Sequence, residues 1–441
     1  MLAASRPDTL SGPEFSANPE WLMEHLSTIC WYCIAGAFIG QLWFAWDMRS
    51  ILKSSQRRQT LAIEGRWSEL EAYLKRAAKT YRPFVWLHHR YLLPGTPAVH
   101  YALFLNNQGR HAEALTRVDE AIWQLEHKPR IFHAIHRSAT LKVLSGALKT
   151  RILALTGMGR YDDARQTAAR LQHLPGSSGQ SNAALAPLEY KCGRLDEALA
   201  RAEATSPGDA QFDSARGIMS LAYCMKGEFN QAVQVLDFEP GDIAKFYSPG
   251  GLEAVSETSE GRKLIHLQRQ KHASVFLPAR LLFLAHAYLA QQAFEPADRA
   301  LDQAEKLLGP QPGLQSAYCR YRARSAAAQG KKAEAEQFIE RMRSIVQQTP
   351  KRSLLWEFHY TTGSAYWQLK QYQDALAELA QAQQLVLHPI EKHVTAYRLA
   401  QAYEDAGDPH QAIAHYRTVA ADVIPSWMRA KAAEALSRLQ N

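Results

Sequence analysis

The stretch from Trp356 to Pro389 reads WEFHYTTGSAYWQLKQYQDALAELAQAQQLVLHP and decides the fold. Its apolar residues recur at helical spacing, which predicts one helix over Leu355–Leu369 and a second over Tyr372–Leu387. The tight turn between them is Lys370-Gln371. Small residues let the two backbones approach and larger ones fill the remaining space; the small residues are Gly363, Ala375 and Ala382, and the larger ones are Tyr366, Tyr372 and Leu379. The stretch therefore predicts an antiparallel helical hairpin.

The turn of this hairpin recurs along the chain as a glycine, then an aromatic or other large residue two positions on, then an alanine three further on. It reads NNQGRHAEAL, GMGRYDDAR, KCGRLDEAL, MKGEFNQAV, AQQAFEPAD, AQGKKAEAE, LKQYQDAL and DAGDPHQAI, and Gly65 marks a related turn. Gly159, Gly193 and Gly227 are 34 residues apart. A helical hairpin with this period resembles the tetratricopeptide repeat (TPR) over residues 50–421. The resemblance implies an all-α solenoid of about nine TPR-like hairpins.

Departures from the period indicate the domain organisation. Between Gly227 and the turn at Gln292 there are 65 residues, which places an insertion at 238–277. The insertion divides an N-terminal repeat block at 49–237 from a C-terminal block at 278–421, and a capping helix follows at 422–441. Within the insertion, Gly261–Ala273 predicts a short basic helix, which docks on an acidic partner or lipid headgroups or is simply solvated. Pro187 falls inside a predicted first helix and leaves that repeat boundary open.

A different pattern precedes the repeats. Residues 1–20 show little periodicity and are predicted to be disordered. Leu26–Trp46 contains no charged residue over 21 positions, so a helix there would span roughly 30 Å, the thickness of the hydrocarbon core of a bilayer. We therefore expect a transmembrane helix within 21–48, with a buried helix of a soluble protein as the alternative.

The flanking charges predict the orientation of this helix. Acidic residues precede it, whereas Arg49, Lys53, Arg57 and Arg58 follow it. Positive residues stay on the cytoplasmic side, so we expect a single-pass protein of an inner membrane of bacterial type, with its N-terminus outside and its repeats cytoplasmic. Gly36 and Gly40 form a GxxxG motif that would allow a homodimer through close helix packing.

The cysteine and histidine content indicates neither a disulfide framework nor a metal site. Five cysteines are an odd number, and those in the predicted repeat helices are expected to act as small apolar fillers; they are Cys192, Cys224 and Cys319. His133 and His136 lack a nearby carboxylate or cysteine at ligand spacing. We expect no metal and no cofactor.

No catalytic motif is recognisable, so the sequence predicts a binding protein and not an enzyme. The net charge of +8 and the pI of about 9.1 are compatible with contact to nucleic acid or anionic lipid and equally with solvated helix faces. We expect a protein or peptide partner and a membrane, and no nucleic acid.

The resemblance also implies where a partner would bind, since the first helix of each TPR hairpin lines a concave groove. The corresponding inward positions here are Arg320, Arg324, Tyr360, Ser364, Trp367, Tyr397, Arg398 and Gln401. Arg320 and Arg324 are four residues apart on one helix face and could bind a carboxylate; the alternative is that they pair with Glu357 or another neighbouring acid.

Two functions are compatible with this pattern. The first is a membrane-anchored TPR scaffold or adaptor that holds partners in the groove. The second is a regulatory or sensor subunit of a membrane enzyme or envelope complex that binds through the 238–277 insertion.

Overall fold

The computed structural model describes residues 56–58, 60–62, 64–79, 96–127, 133–174, 178–205, 212–237, 276–349 and 351–440, and these form helices and short turns without any strand. The chain divides into two structural units, Met1–Arg57 and Arg58–Asn441. The sequence predictions for 1–20, for the transmembrane helix with Gly36 and Gly40, and for the insertion up to residue 275 lie outside the described residues. Within the described ranges, none of the helices combines the length and apolar character that crossing a bilayer requires.

The second unit is a succession of antiparallel hairpins. From α2 onward the helices pack two by two as hairpins, α2 with α3, α4 with α5, and so on to α16 with α17. Helix α1 is the second helix of an earlier hairpin, and α18 covers the last one. The helices described are α1 Trp67–Lys79, α2 Thr96–Asn107, α3 His111–Glu126, α4 His133–Gly157, α5 Tyr161–Gln172, α6 Ser178–Lys191, α7 Leu195–Glu203, α8 Phe212–Lys226, α9 Phe229–Gln234, α10 Leu277–Ala290, α11 Phe294–Leu307, α12 Pro312–Ala328, α13 Lys332–Gln348, α14 Arg352–Gln368, α15 Tyr372–Leu385, α16 Pro389–Asp405, α17 Pro409–Ala420 and α18 Trp427–Gln440.

Each hairpin turn contains one residue in the left-handed region of the backbone map, which confirms the predicted turn signature. Seven of the described turns use glycine with φ between 70° and 84°, and Gln292 (φ 60°) and Lys370 (φ 61°) serve in the other two. At Lys370 the following amide closes the turn, because Gln371 N–H donates to the carbonyl of Tyr366 at 2.9 Å. This is the hydrogen bond of a Schellman cap, which ends one helix and reverses the chain.

The predicted small-residue contact between α14 and α15 is confirmed. Ala375, Leu379 and Ala382 are fully buried. A Cβ placed on Gly363 would lie 3.0 Å from the carbonyl oxygen of Ala375 and 2.7 Å from Cγ of Leu379. The absence of a side chain at Gly363 therefore sets how closely the two helices pack.

The stack of hairpins continues on both sides of the insertion. Helix α10, which follows it, packs against both α8 and α9. Pro187 does not end α6, which continues to Lys191. One hydrophobic cluster also joins Leu195 and Met225 of the N-terminal block to Ile390 and Tyr416 of the C-terminal block.

That joint cluster exists because the solenoid closes on itself after about six hairpins. Turn glycines of early hairpins lie against the segments that precede α12, α14, α16 and α18, or against the first residue of α18, and we call this contact line the seam. A Cβ on the turn glycine would lie within 4 Å of its counterpart in each of these pairs: Gly65 and Pro310, Gly109 and Lys351, Gly159 and Leu387, Gly193 and Ile424, and Gly227 and Trp427.

The opposite edge of the later hairpins is open. A Cβ on Gly330 or Gly407, in the turns after α12 and α16, would meet no atom within 4 Å among the described residues. The turn residues Gly330, Lys370 and Gly407, at the carboxyl ends of α12, α14 and α16, are exposed, and we call this side the open edge. The amino ends of these helices abut the earlier hairpins at the seam.

Candidate functional site

The first helices of five hairpins place charged and aromatic side chains together in the interior of the solenoid. We call this set the inner cluster; it comprises Tyr190 and Lys191 of α6, His286 of α10, Arg320, Tyr321 and Arg324 of α12, Glu357 and Tyr360 of α14, and Glu391 and Arg398 of α16. Their side chains influence one another electrostatically although the helices are far apart in sequence. The fold thus concentrates ionisable groups where solvent access is restricted.

Arg320 is paired with a carboxylate of its own chain. Its Nη1 lies 3.1 Å from Oε2 of Glu357, and these side chains are 21% and 26% exposed. Nη2 donates a hydrogen bond to the hydroxyl of Tyr321 at 3.0 Å. Burial lowers the pKa of Arg320, but the charges of Glu357 and Tyr321 and the hydrogen bonds to both side chains together outweigh burial and hold the pKa above its usual range. Of the two alternatives for this arginine, the structure contains the internal ion pair.

Helix α6 narrows the predicted groove from the opposite side. Its Lys191 is enclosed beside Glu391 and Glu357; burial lowers the pKa of Lys191, and those two charges oppose the shift. Glu391 is a buried carboxylate that accepts backbone N–H bonds from Leu387 at 2.9 Å and His388 at 3.1 Å. Burial raises the pKa of Glu391. The inner part of the groove therefore holds the chain's own ion pair of Arg320 with Glu357, and Lys191 and Glu391 influence each other beside it.

Arg324 has a neutral partner. Its Nη1 lies 3.4 Å from Nδ1 of His286. Burial lowers the pKa of His286 well below its usual value, and the charges of Arg324 and Arg320 lower it further. The imidazole is thus uncharged at neutral pH, and Nδ1 must act as the acceptor because a guanidinium only donates.

At the open edge, Arg398 lies over the indole of Trp367, with Cζ 4.3 Å from the ring centroid. Arg398 also donates to Oε1 of Gln401 at 3.0 Å, and Nε1 of Trp367 donates to Asp405 at 2.7 Å. Trp367, Arg398 and Gln401 are all partly exposed. We call these three residues and Asp405 the rim. Stacking fixes the guanidinium while leaving donors available.

The remaining predicted site residues are more deeply packed. Tyr360 stacks on Trp356, with ring centroids 5.2 Å apart. Ser364 is 3% exposed. Tyr397 is buried edge-on against Tyr416 and Trp427, at centroid distances of 6.1 and 5.5 Å, and so contributes to the core. A role of these side chains in binding stays a prediction.

One constellation was not expected from the sequence. In it, Nδ1 of His393 lies 2.9 Å from Oδ2 of Asp422, and Nε2 of His393 lies 2.6 Å from Oγ of Ser426. A serine, a histidine and an aspartate in this order are the groups of a hydrolytic triad. Here His393 is fully enclosed, Ser426 is 8% exposed, and its Oγ also accepts the backbone N–H of Arg429. A nucleophile must reach its substrate, so this arrangement instead fastens α18 to α16.

The missed residues carry no local signal, since 33 positions separate His393 from Ser426. In the described part of the chain, no group of three or more His, Cys, Asp or Glu side chains is placed to hold a metal ion. The cysteines described, Cys192, Cys224 and Cys319, are free thiols, as the sequence predicts.

Comparison with known proteins gives similarity in fold. No protein-family model matches the chain, and no curated protein matches its sequence. Similar solved structures include the APC/C hetero-tetramer Cut9-Hcn1, with 15% identity, a TM-score of 0.42 and coverage of 87% of this chain and 75% of that chain. Another is the human IFIT1 dimer with m7Gppp-AAAA, with 15% identity, a TM-score of 0.40 and coverage of 85% of each chain.

The hairpin geometry of the chain itself is more informative than these distant similarities. Successive hairpins stack through small residues, and uninterrupted turns are 34 residues apart with one left-handed residue in each. By these features the chain has an all-helical repeat architecture that resembles the tetratricopeptide repeat.

Proposed function

We propose that the chain is a membrane-anchored scaffold that binds a protein or peptide partner at the rim. The carrying observation is that Trp367, Arg398 and Gln401 are partly exposed beside the open edge of the solenoid. Tryptophan and arginine are the side chains that contribute most to protein–protein binding when they are held rigidly and become desolvated. Binding of this kind involves no covalent chemistry.

The state of the deeper groove supports the rim as the contact surface. A long partner segment along the whole groove would have to displace the pair of Arg320 with Glu357 and the enclosed Lys191. Breaking an enclosed ion pair costs on the order of 3 kcal/mol unless the partner replaces each charge interaction. Contact at the rim requires no such rearrangement.

Membrane anchoring is the second part of the proposal and rests on sequence. The 21 uncharged residues Leu26–Trp46 and the basic residues that follow them support a single-pass anchor with cytoplasmic repeats. The full chain should remain in the membrane fraction after extraction with alkaline carbonate, and a variant lacking 21–48 should not. Extraction of the full chain into the carbonate supernatant would refute the anchor without affecting the rim proposal.

The rim is tested by site-specific photo-crosslinking in cells. A photoreactive amino acid at Gln401 should give one main adduct, and the same group at the exposed Trp123 on α3 should not. The captured partner is then purified, and its affinity is measured for the full chain, for Trp367→Ala and for the control Trp123→Ala. Loss of an anchoring tryptophan should weaken binding by about tenfold or more, whereas the control should bind normally.

The regulatory-subunit alternative predicts a different result from the same assay. The insertion contains Arg262, Lys263, Arg269 and Lys271, a basic set suited to an acidic surface. If Trp367→Ala binds the partner normally and deletion of 238–277 abolishes binding, the insertion is the contact surface and the rim proposal is wrong.

A further inference from the structure

Two clefts along the line of the seam are built from equivalent positions of the repeat. The seam cleft, of about 320 Å³, lies between the α4–α5 turn and the α6–α7 turn, and the amide cleft, of about 580 Å³, lies between the α8–α9 turn and the α10–α11 turn. Counted from the left-handed residue of each turn, the same positions line both clefts: Gly159, Arg160, Tyr161, Asp162, Asp163 and Cys192 in the first, and Gly227, Glu228, Phe229, Asn230, Gln231 and Gln291 in the second. The amide cleft is therefore the seam cleft repeated two hairpins later.

The seam cleft receives a segment of the chain itself. Pro389, the first residue of α16, is part of its lining. The hydroxyl oxygen of Tyr161 lies 2.6 Å from Nδ1 of His388 and 3.3 Å from the carbonyl oxygen of Leu387. The cleft between two early turns thus holds the short segment that leads into a later helix.

The amide cleft has no such segment in its lining within the described part of the chain. The seam stops beside it, since a Cβ on Gly227, which lines the cleft, would lie 3.2 Å from Cβ of Trp427, the first residue of α18. Trp427 is 37% exposed, and Phe229 in the cleft is partly exposed. The amide cleft therefore continues the seam past its last intramolecular contact, with aromatic side chains at that end.

The segments that lie at the seam share an extended backbone and a nearby proline. The residue before α12, α14 and α16 is extended in each case, with ψ 115° at Gln311, 137° at Lys351 and 146° at His388. In the sequence, each seam segment has a proline at its contact residue or within two positions of it; these prolines are Pro310, Pro350, Pro389 and Pro425. Proline favours an extended residue before it and is well suited to begin a helix. The seam thus accepts an extended, proline-containing segment that leads into a helix.

The amide cleft offers the hydrogen-bonding groups that an extended main chain requires. Its lining includes four amide side chains, those of Asn230, Gln231, Gln291 and Gln292. Each amide can both donate and accept, so it can pair with backbone groups whatever the ligand's side chains are. Nε2 of Gln291 donates to Oδ1 of Asn230 at 3.2 Å and joins the two turns. Among the described residues that line the cleft, Glu228 alone is ionisable, and it is paired with Lys226 at 3.2 Å. This lining suits an uncharged segment.

We propose that the amide cleft is a docking site for an extended, proline-containing segment of a partner protein that is followed directly by a helix. The segment would lie as Leu387–Pro389 lies at the seam cleft, with its proline against Phe229 and its main chain bonded to the amides. The seam segments of the described chain are already placed at earlier turns, so the occupant is assigned to another protein. The cleft is a second contact surface, separate from the rim, and the inference goes beyond the proposed function.

The site is tested with peptides selected on the protein itself. A display library of random 20-residue peptides is first depleted on the full chain carrying Asn230→Ala with Gln231→Ala, which we call the cleft variant, and is then selected on the unaltered full chain. Both replaced residues are exposed, and alanine is favourable in a helix. The matched control is Gln383→Ala with Gln384→Ala, which removes two neighbouring exposed amides from α15. Circular dichroism establishes that each variant is folded.

We expect the retained peptides to share a proline shortly before a helix-forming stretch. Measured by fluorescence polarisation, they should bind the cleft variant about tenfold or more weakly than the unaltered protein, because hydrogen bonds to the main chain are lost. The control variant should bind them normally. Replacement of the shared proline in the peptide by alanine should also weaken binding, whereas Trp367→Ala in the protein should not.

Three results of the selection would overturn the inference: retention of no peptide, retained peptides without a shared proline, or equal weakening in the control variant. Two further results would assign the cleft to a different occupant and overturn it as well. Peptide binding only after deletion of 238–275 would mean that the insertion of this chain fills the cleft. A dimer that is lost in the cleft variant, detected by analytical ultracentrifugation, would mean that a second copy does. Failure of the rim proposal would change none of these results.

Discussion

The closure of the solenoid at the seam predicts that two glycines with the same backbone conformation differ in their tolerance of a side chain. Gly193 has φ 80° and Gly407 has φ 82°. A Cβ on Gly193 would lie 2.5 Å from Cγ1 of the buried Ile424, whereas a Cβ on Gly407 would meet no described atom within 4 Å. Both substitutions to alanine incur the left-handed backbone cost, but only Gly193→Ala adds a clash across the seam.

The expected magnitudes follow from these two contributions. An alanine in the left-handed region costs about 1 kcal/mol, so Gly407→Ala should lower the free energy of unfolding by that amount. Overpacking a closed contact costs a further 1–3 kcal/mol, roughly, so Gly193→Ala should lose about 2–4 kcal/mol. In the double variant Gly193→Ala with Ile424→Ala, the added methyl group occupies vacated space, and the combined loss should be smaller than the sum by about 1 kcal/mol or more.

The assay is urea denaturation of the full chain followed by far-ultraviolet circular dichroism. The unaltered protein is compared with Gly193→Ala, Gly407→Ala, Ile424→Ala and the double variant at the same transition, because repeat arrays need not unfold in one step. Equal losses for Gly193→Ala and Gly407→Ala, together with additivity of Gly193→Ala and Ile424→Ala, would refute the seam. The early hairpins would then not contact the later ones, and the interior would be an open groove.

Three further predictions concern the enclosed ionisable groups. Burial lowers the pKa of His388 to about 3, so below pH 6.5 the unfolded chain takes up a proton that the native chain does not. As the pH is lowered from about 6 to 4, the free energy of unfolding should therefore decrease by at most about 1.4 kcal/mol per pH unit. Chemical denaturation of His388→Gln at several pH values should show a weaker dependence on pH. Glu357→Gln leaves Arg320 without its carboxylate and should cost about 2–4 kcal/mol in urea denaturation, more than replacing both residues by methionine. Burial raises the pKa of the Cys224 thiol to about 12, so a thiol reagent should label it only as the chain unfolds.

Each of these predictions has a clear contrary result. A pH profile as steep in His388→Gln as in the unaltered protein would assign the acid sensitivity to other groups. A double methionine variant less stable than Glu357→Gln would mean that the ion pair is strongly stabilising in itself. Labelling of Cys224 in the native state, at a rate independent of urea, would contradict its burial.

The sequence by itself determined the repeat class, the positions of the turns and the hairpin contact of Gly363 with Ala375. These features are local: a left-handed residue ends a helix within one turn, and apolar spacing of three to four residues defines a face whatever the rest of the chain does. The same locality explains why α14 and α15 begin and end within three residues of their predicted limits.

Only the tertiary structure decided how the interior is filled. The approach of Lys191 to Glu391, the contact of Gly193 with Ile424 and the link of His393 to Ser426 join residues from 33 to 231 positions apart. They depend on the curvature of the solenoid, which is the sum of a small rotation at every hairpin, and no single stretch of sequence specifies that sum. For this reason the inward position of Arg320 could be predicted from its repeat and Glu357 could be named as one possible partner. The sequence could not decide that Arg320 pairs with Glu357 while Arg324 lies against the neutral His286.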